Sequence, residues 1–252
     1  MFPILSRNQI KFIRSLKQKK YRDKFKNYLV EGVKQIADIA KHKPDAIDYI
    51  VVMDDFDGIP KNGHFDIYQV EMSIFKSLSN MIHSQGIMAV CRIPDTYFSD
   101  RWTEKEFALY FDGVQDPGNL GTMFRAAEWY GVGQVLIGPG TVDPYNPKVV
   151  QASMGSQSYL QIFQCDHLHI SEMACEVIVA DIDGEDAYDF NWPKDGLLVM
   201  GNEGQGLSPA LRKNATNRIT LRSAPGVRTE SLNVSMACTA LLTLRQTYFR
   251  GD

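Results

Sequence analysis

Apolar residues recur three apart at Ile10, Ile13 and Leu16, and this spacing predicts a helix over 8–20. The pattern then changes period several times. Tyr28-Leu29-Val30 predicts a short strand, and Val33, Ile36, Ala37 and Ala40 share one face of a helix over 33–42. A run rich in β-branched residues over 47–53 predicts a strand, closed by the acidic turn Asp54-Asp55-Phe56-Asp57-Gly58. A strand over 67–70, a helix over 73–79 and a strand over 86–93 follow. Beyond residue 106 the alternation becomes more regular. Strands are predicted at 107–114, 134–137, 160–164, 176–182, 197–200 and 218–221. Helices are predicted at 119–129, 147–157, 169–174, 209–214 and 232–248.

The polar stretch 92–106, which contains Pro94, separates these two regimes. It divides the chain into an α/β domain over 1–98 and a second domain over 106–252. In the second domain, short apolar strands alternating with helices imply a parallel sheet covered on both faces. A length of 252 residues suits two domains, because single domains run roughly 100–150 residues at the mode. Hydrophobic residues at 44% and charged residues at 23% are an ordinary globular balance, which excludes disorder as a description of the whole. No apolar run approaches the ~18 residues of a membrane span. The opening Met-Phe-Pro-Ile-Leu is too brief for a secretory signal, so a soluble, cytosolic protein is expected.

Charge alters the picture once the chain is divided. The formal net charge is −3, but residues 1–34 carry +8 and the remainder −11. Such asymmetry points to a polyanion partner for the N-terminal part, with Lys17, Lys19, Lys20 and Arg22 as the leading phosphate contacts. A solvated basic helix is the plainer alternative. The interleaved Phe12, Tyr21, Phe25 and Tyr28 suit base stacking or the core face of a helix. Cys91, Cys165, Cys175 and Cys238 form no Cys-x-x-Cys pair and read as reduced, mostly buried thiols. His167 and His169 near Cys165 read as a strand end, and no metal site is expected.

Three segments of the second domain place glycines and polar residues at the ends of predicted strands, where open α/β sheets bind ligands. The first is Asp116-Pro117-Gly118-Asn119-Leu120-Gly121-Thr122-Met123-Phe124-Arg125, with Asn119 a plausible helix N-cap. Arg125, between Met123-Phe124 and Ala126-Ala127, needs an internal carboxylate or an anionic ligand. The second is Gly201-Asn202-Glu203-Gly204-Gln205-Gly206-Leu207-Ser208. Its spacing approaches a P-loop, but Leu207 replaces the lysine, which disfavours a nucleotide triphosphatase. The third is Thr229-Glu230-Ser231-Leu232-Asn233-Val234-Ser235, with Ser231 fitting an N-cap.

Taken together, N-x-G-x-x-x-R, G-N-E-G-x-G-L-S and S-L-N-V-S-x-A, in this order, resemble the three motifs of the SpoU family. These are the TrmH-type 2′-O-ribose RNA methyltransferases of the SPOUT superfamily. The resemblance covers about residue 107 to the C-terminus. The N-terminal part is similar to the substrate-binding domain many members carry, through the basic 17–24 stretch, Leu29-Val30-Glu31-Gly32 and Gln85-Gly86-Ile87-Met88-Ala89-Val90.

The resemblance implies a parallel sheet whose C-terminal segment is tied in a trefoil knot, S-adenosylmethionine held in the knot's loops, and homodimerisation through the methyltransferase domain. It implies cofactor contacts at Gly201, Leu221 and Leu232, with Ala180 a weaker candidate, and functional polar roles for Asn119, Arg125, Glu203, Ser231 and Asn233. The 222–230 loop is longer than the family pattern, and its Arg222 and Arg228 become extra phosphate contacts. The implied reaction is in-line methyl transfer to a ribose 2′-oxygen, with ribosomal RNA favoured over tRNA. A guanidinium is a poor base, so Arg125 is expected to grip a phosphate or the developing oxyanion. The alternative of another class is a non-catalytic RNA-binding protein on the same domains.

Overall fold

The computed structural model describes residues 2–60, 64–95 and 103–250. Part of the expected inter-domain stretch, residues 96–102, lies outside the described residues. The chain divides into two compact units, one of Met1–Asp95 with Asp143–Ser158, the other of Thr96–Val142 with Tyr159–Asp252.

In the first unit the expected 8–20 helix is two helices, α1 (Arg7–Ser15) and α2 (Lys19–Phe25). A capping box between Ser6 and Gln9 starts α1. Its end is fixed by Arg22, whose Nη1 donates to the Leu16 carbonyl at 2.8 Å, an acceptor that a continuous helix would have used internally. Strand β1 (Asn27–Glu31), helix α3 (Val33–His42), strands β2 (Ile47–Met53) and β3 (Asp66–Val70), helix α4 (Met72–Leu78) and strand β4 (Ile87–Arg92) follow. The sheet order is β1-β4-β2-β3, antiparallel except for β2 and β3. Alternate residues feed two cores. Tyr28, Val30, Ile50, Val52, Ile87 and Ala89 pack with α3, while Leu29, Val51, Met88 and Val90 pack with α1 and α4.

The second unit begins with β5 (Phe107–Phe111), α5 (Pro117–Trp129) and β6 (Gln134–Ile137). The chain then contributes α6 (Pro147–Ser153) to the first unit, where Val150 and Tyr145 join the α3 core. The expected 147–157 helix stops early because Met154 is left-handed, at φ 53°. Strand β7 (Gln161–Gln164), α7 (His167–Glu172), β8 (Val177–Asp186), β9 (Gly196–Met200), α8 (Pro209–Asn214), β10 (Asn217–Thr220) and α9 (Val234–Arg250) complete the unit. Its six strands are all parallel, in the order β10-β8-β9-β5-β6-β7, as the strand and helix alternation implied. Residues 107–111 and 196–200 are wholly buried, as strands covered on both faces must be.

One strand departs from expectation. β8 runs to Asp186 rather than ending near 182, because its pairing with β10 jumps from Arg218↔Val179 to Ile219↔Glu185. A Cβ on Gly184 would lie 2.4–2.6 Å from the Ile219 backbone, so only glycine lets the two segments cross so closely. Among the described residues, no helix is long and apolar enough to cross a membrane.

Candidate active site

The three motifs converge at the C-terminal edge of the parallel sheet. After β5, Asp116 rather than Asn119 caps α5, accepting the Asn119 N–H at 2.7 Å with Pro117 in the first turn. The Asn119 side chain is thereby released from capping and free for the site. Its Nδ2 donates to Glu203 Oε1 at 2.7 Å, and its Oδ1 accepts from Asn233 Nδ2 at 2.9 Å. Asn233, not Ser231, starts α9, its Oδ1 taking the N–H groups of Ser235 and Met236 and the Ser235 hydroxyl. A polarised line, Asn233 to Asn119 to Glu203, thus joins one residue from each motif. Glu203 anchors its loop through Asn119 and pairs with no arginine among the described residues.

The glycine turn after β9 is shaped by a residue that the motif spacing alone does not single out. Asn202 Oδ1 accepts the Gly204 and Gln205 N–H groups, both at 2.8 Å, and Nδ2 donates to the Gly113 carbonyl at 2.7 Å. Asparagine inside a glycine-rich turn was the signal that could have found it. Buried Asp112 is a second residue without a motif to mark it. It accepts the Ser208 N–H at 2.7 Å and faces His167 Nε2 at 3.0 Å, tying the end of the turn to the end of β5. His167 therefore belongs to this clasp and to α7 rather than to a strand end. Burial pushes the Cys165 and Cys238 thiols up to about 12, which leaves them unfit as nucleophiles near neutrality.

Beside the turn lies a cavity of about 400 Å³, within the usual range for small-molecule sites. Ala180, Gly201, Leu221 and Leu232 all line it, as do Glu203 and Ser231. Asn119, Asn233 and Arg125 do not. Gly201 also shapes the turn that carries it. A Cβ there would meet the Gly206 backbone at 2.9 Å and the Leu207 nitrogen at 3.1 Å, so its lack of a side chain serves the closure of the turn itself. Arg125 is exposed on α5, with no hydrogen bond or ion pair among the described residues. Six residues beyond Asn119 at about 100° per residue, it lies about 120° around the helix from that residue.

The basic residues separate into distinct groups. Arg22 is 3% exposed. Its Nε donates to Asp143 at 3.0 Å, and a second guanidinium nitrogen also reaches Asp143. That burial removes it from any phosphate-binding surface and corrects the expectation from charge alone. Lys17 is half-buried, its Nζ spent on the Ser77 and Ser79 carbonyls at 3.2 and 3.0 Å. Lys19 and Lys20 are exposed, the first paired with Asp23 at 2.6 Å and the second over the Tyr21 ring. In the other unit Arg222 stands 3.3 Å from Asp186, and Arg228 is exposed. Among the described residues no group of three or more His, Cys, Asp or Glu could hold a metal ion.

Residues 106–243 match the SpoU rRNA Methylase family, and residues 7–89 match the MRM3-like substrate binding domain. The chain is 29% identical to the 23S rRNA (guanosine(2553)-2′-O)-methyltransferase RlmP of Bacillus subtilis, over 94% of its own length and 96% of the relative's. A TrmH-family structure from Porphyromonas gingivalis superposes with a TM-score of 0.86 at 32% identity, over 96% of this chain and 98% of the other. An AdoMet-bound rRNA methyltransferase from Sinorhizobium meliloti superposes with a TM-score of 0.83 at 25% identity, over 98% and 97%.

Proposed function

This chain belongs to the SpoU rRNA methylase family, and we propose that it methylates the 2′-oxygen of a ribose in ribosomal RNA, using S-adenosylmethionine. The observation that carries the reading is the line from Asn233 through Asn119 to Glu203. It draws all three motifs together next to the cavity that Gly201, Leu221 and Leu232 line. The cavity fits the cofactor by size and by its mixed apolar and polar wall, and Ala180, Gly201, Leu221 and Leu232 would hold it. When bound, the sulfonium supplies an activated methyl group. The chain's own residues then have to bring a ribose hydroxyl in line and offset the charge left as its proton departs.

Asn119 and Asn233 are fixed by their mutual hydrogen bond and present oriented amides at that edge. Arg125 grips an RNA phosphate or the developing oxyanion with its planar fork. Within one chain it does not line the cavity, and on this reading the protein is a homodimer in which the partner subunit supplies the arginine. Exposed Trp129 and Met236, at 79% and 62%, are suited to that contact. The C-terminal segment forms a trefoil knot on this reading, consistent with the tight crossing of Gly184 and Ile219. The enzyme works in the cytoplasm, with the N-terminal unit gripping the RNA.

The test is transfer of labelled methyl from S-adenosylmethionine to ribosomal RNA from a strain lacking the gene. Mapping should find one phosphodiester made resistant to alkali, as 2′-O-methylation requires. Transfer to tRNA alone would move the substrate, and RNA binding without transfer would leave a binding protein.

A further inference from the structure

The cavity beside the glycine turn has one charged wall that the motifs do not account for. β8 pairs with β9 only over Val177–Val179, and Asp181 stands just past that point, at the C-terminal edge of the sheet. The neighbouring strand, β9, is the one that carries the glycine turn. The Asp181 side chain is 4% exposed. Its Oδ1 accepts the Ile182 N–H at 2.9 Å and faces the Arg212 guanidinium at 3.3 Å. Its Oδ2 is buried and has no hydrogen-bond partner among the described residues. A carboxylate oxygen withdrawn from water without a donor is costly, and Arg212, 45% exposed and reaching only the other oxygen, does not supply one. Asp181 and Arg212 both line the cavity.

We propose that Asp181 accepts the hydroxyls of the ribose in the adenosine half of the cofactor, with Arg212 positioning the carboxylate; this rests on the cofactor reading above. An acidic residue at the end of one parallel strand, beside a glycine turn on its neighbour, is a general arrangement for holding ribose hydroxyls in α/β sheets. A vicinal diol brings two neutral donors to a carboxylate with one oxygen unserved. The ammonium of the amino-acid half is disfavoured there because the Arg212 guanidinium already places a positive charge at the same carboxylate.

The test is calorimetric binding of S-adenosylhomocysteine and of its 2′,3′-dideoxy analogue to the full chain. The parent should bind the dideoxy analogue about 10- to 100-fold more weakly, the range of charge-assisted hydrogen bonds. Asp181→Ala should lose a similar factor on S-adenosylhomocysteine and show no further loss on the analogue. Asp181→Asn keeps the shape and one neutral acceptor, so its discrimination should shrink; it carries the comparison if the alanine variant does not fold. Arg212→Ala should bind more weakly while still discriminating. A parent that binds both ligands equally, or an alanine variant that discriminates as the parent does, would overturn the assignment. A parent that binds neither would overturn the cofactor reading along with it.

Discussion

Arg125 and Asn233 belong to the first and the third motif, and they should fail in opposite ways when replaced. Arg125 is exposed and touches no partner among the described residues, so its removal breaks no internal contact. If its fork grips the RNA, Arg125→Lys keeps the charge but forgoes one of two parallel hydrogen bonds. A loss of ~1.5–3 kcal/mol should slow methyl transfer roughly 10- to 100-fold, with an unchanged melting temperature and unchanged cofactor affinity. A variant that transfers methyl at the parent rate would remove Arg125 from the mechanism. Asn233 instead caps α9 as well as holding Asn119. Losing a cap costs about 1 kcal/mol, so Asn233→Ala should lower the melting temperature by roughly 2–4 °C as well as slow the reaction. An unshifted melting curve would mean that Asn233 is not the cap.

At the scale of elements, the glycine turn and the α6 excursion show what a sequence discloses and what it hides. Strand and helix periods were legible because burial imposes them: helix 33–42, strands 47–53 and 134–137 and helix 209–214 have the same limits in the structure. That Ala180, Gly201, Leu221 and Leu232 share one cavity wall was legible only through motif resemblance, since nothing in periodicity distinguishes Leu221 from any strand-end leucine. Caps were misplaced by two or three residues because Asp116 and Asn233 compete with equally good formers nearby. The role of Gly201 was hidden, because which atoms approach a glycine is a tertiary fact. The tight Gly201–Gly206 approach now predicts that Gly201→Ala lowers the melting temperature even without cofactor, through a forced opening of the Asn202–Gly206 pairing. Unchanged apo stability with weakened cofactor binding would mean that the ligand, rather than the turn, needs the space. The α6 excursion was equally invisible, as residues 143–158 sit among methyltransferase motifs but pack under Tyr28 and Val30. A fragment of residues 1–95 lacks Val150, Tyr145 and the Asp143 partner of Arg22. It should show weak protection from hydrogen exchange, and adding 143–158 as a linked segment should raise it. Strong native-like protection in the short fragment would show the segment to be dispensable.

Over the whole molecule, the separation of +8 in residues 1–34 from −11 elsewhere is an electrostatic instruction that net charge conceals. The structure refines which cations can carry it out. Lys19 and Lys20 are exposed, and the Lys19–Asp23 pair is a surface contact that a phosphate can outcompete. Arg22 contributes to the same formal charge but is sealed against Asp143. Two classes of substitution must therefore separate cleanly. Lys19→Ala with Lys20→Ala should weaken RNA binding, and the slope of log affinity against log salt should flatten by roughly 0.7–0.9 for each phosphate no longer neutralised. Melting should stay where it was. Arg22→Ala should do the reverse, destabilising the first unit by about 3–5 kcal/mol because the Asp143 charge is left buried and unpaired. Where enough folded protein remains, its salt slope should match the parent's. Replacing both partners, Arg22→Met with Asp143→Leu, should recover the part of the stability lost to the unpaired charge without touching the slope, while the Leu16 carbonyl and the Tyr145 N–H still lack their side-chain partners. If Arg22→Ala flattens the slope as much as the lysine changes do, then this arginine reaches RNA despite its burial, and the division between structural and phosphate-facing cations fails.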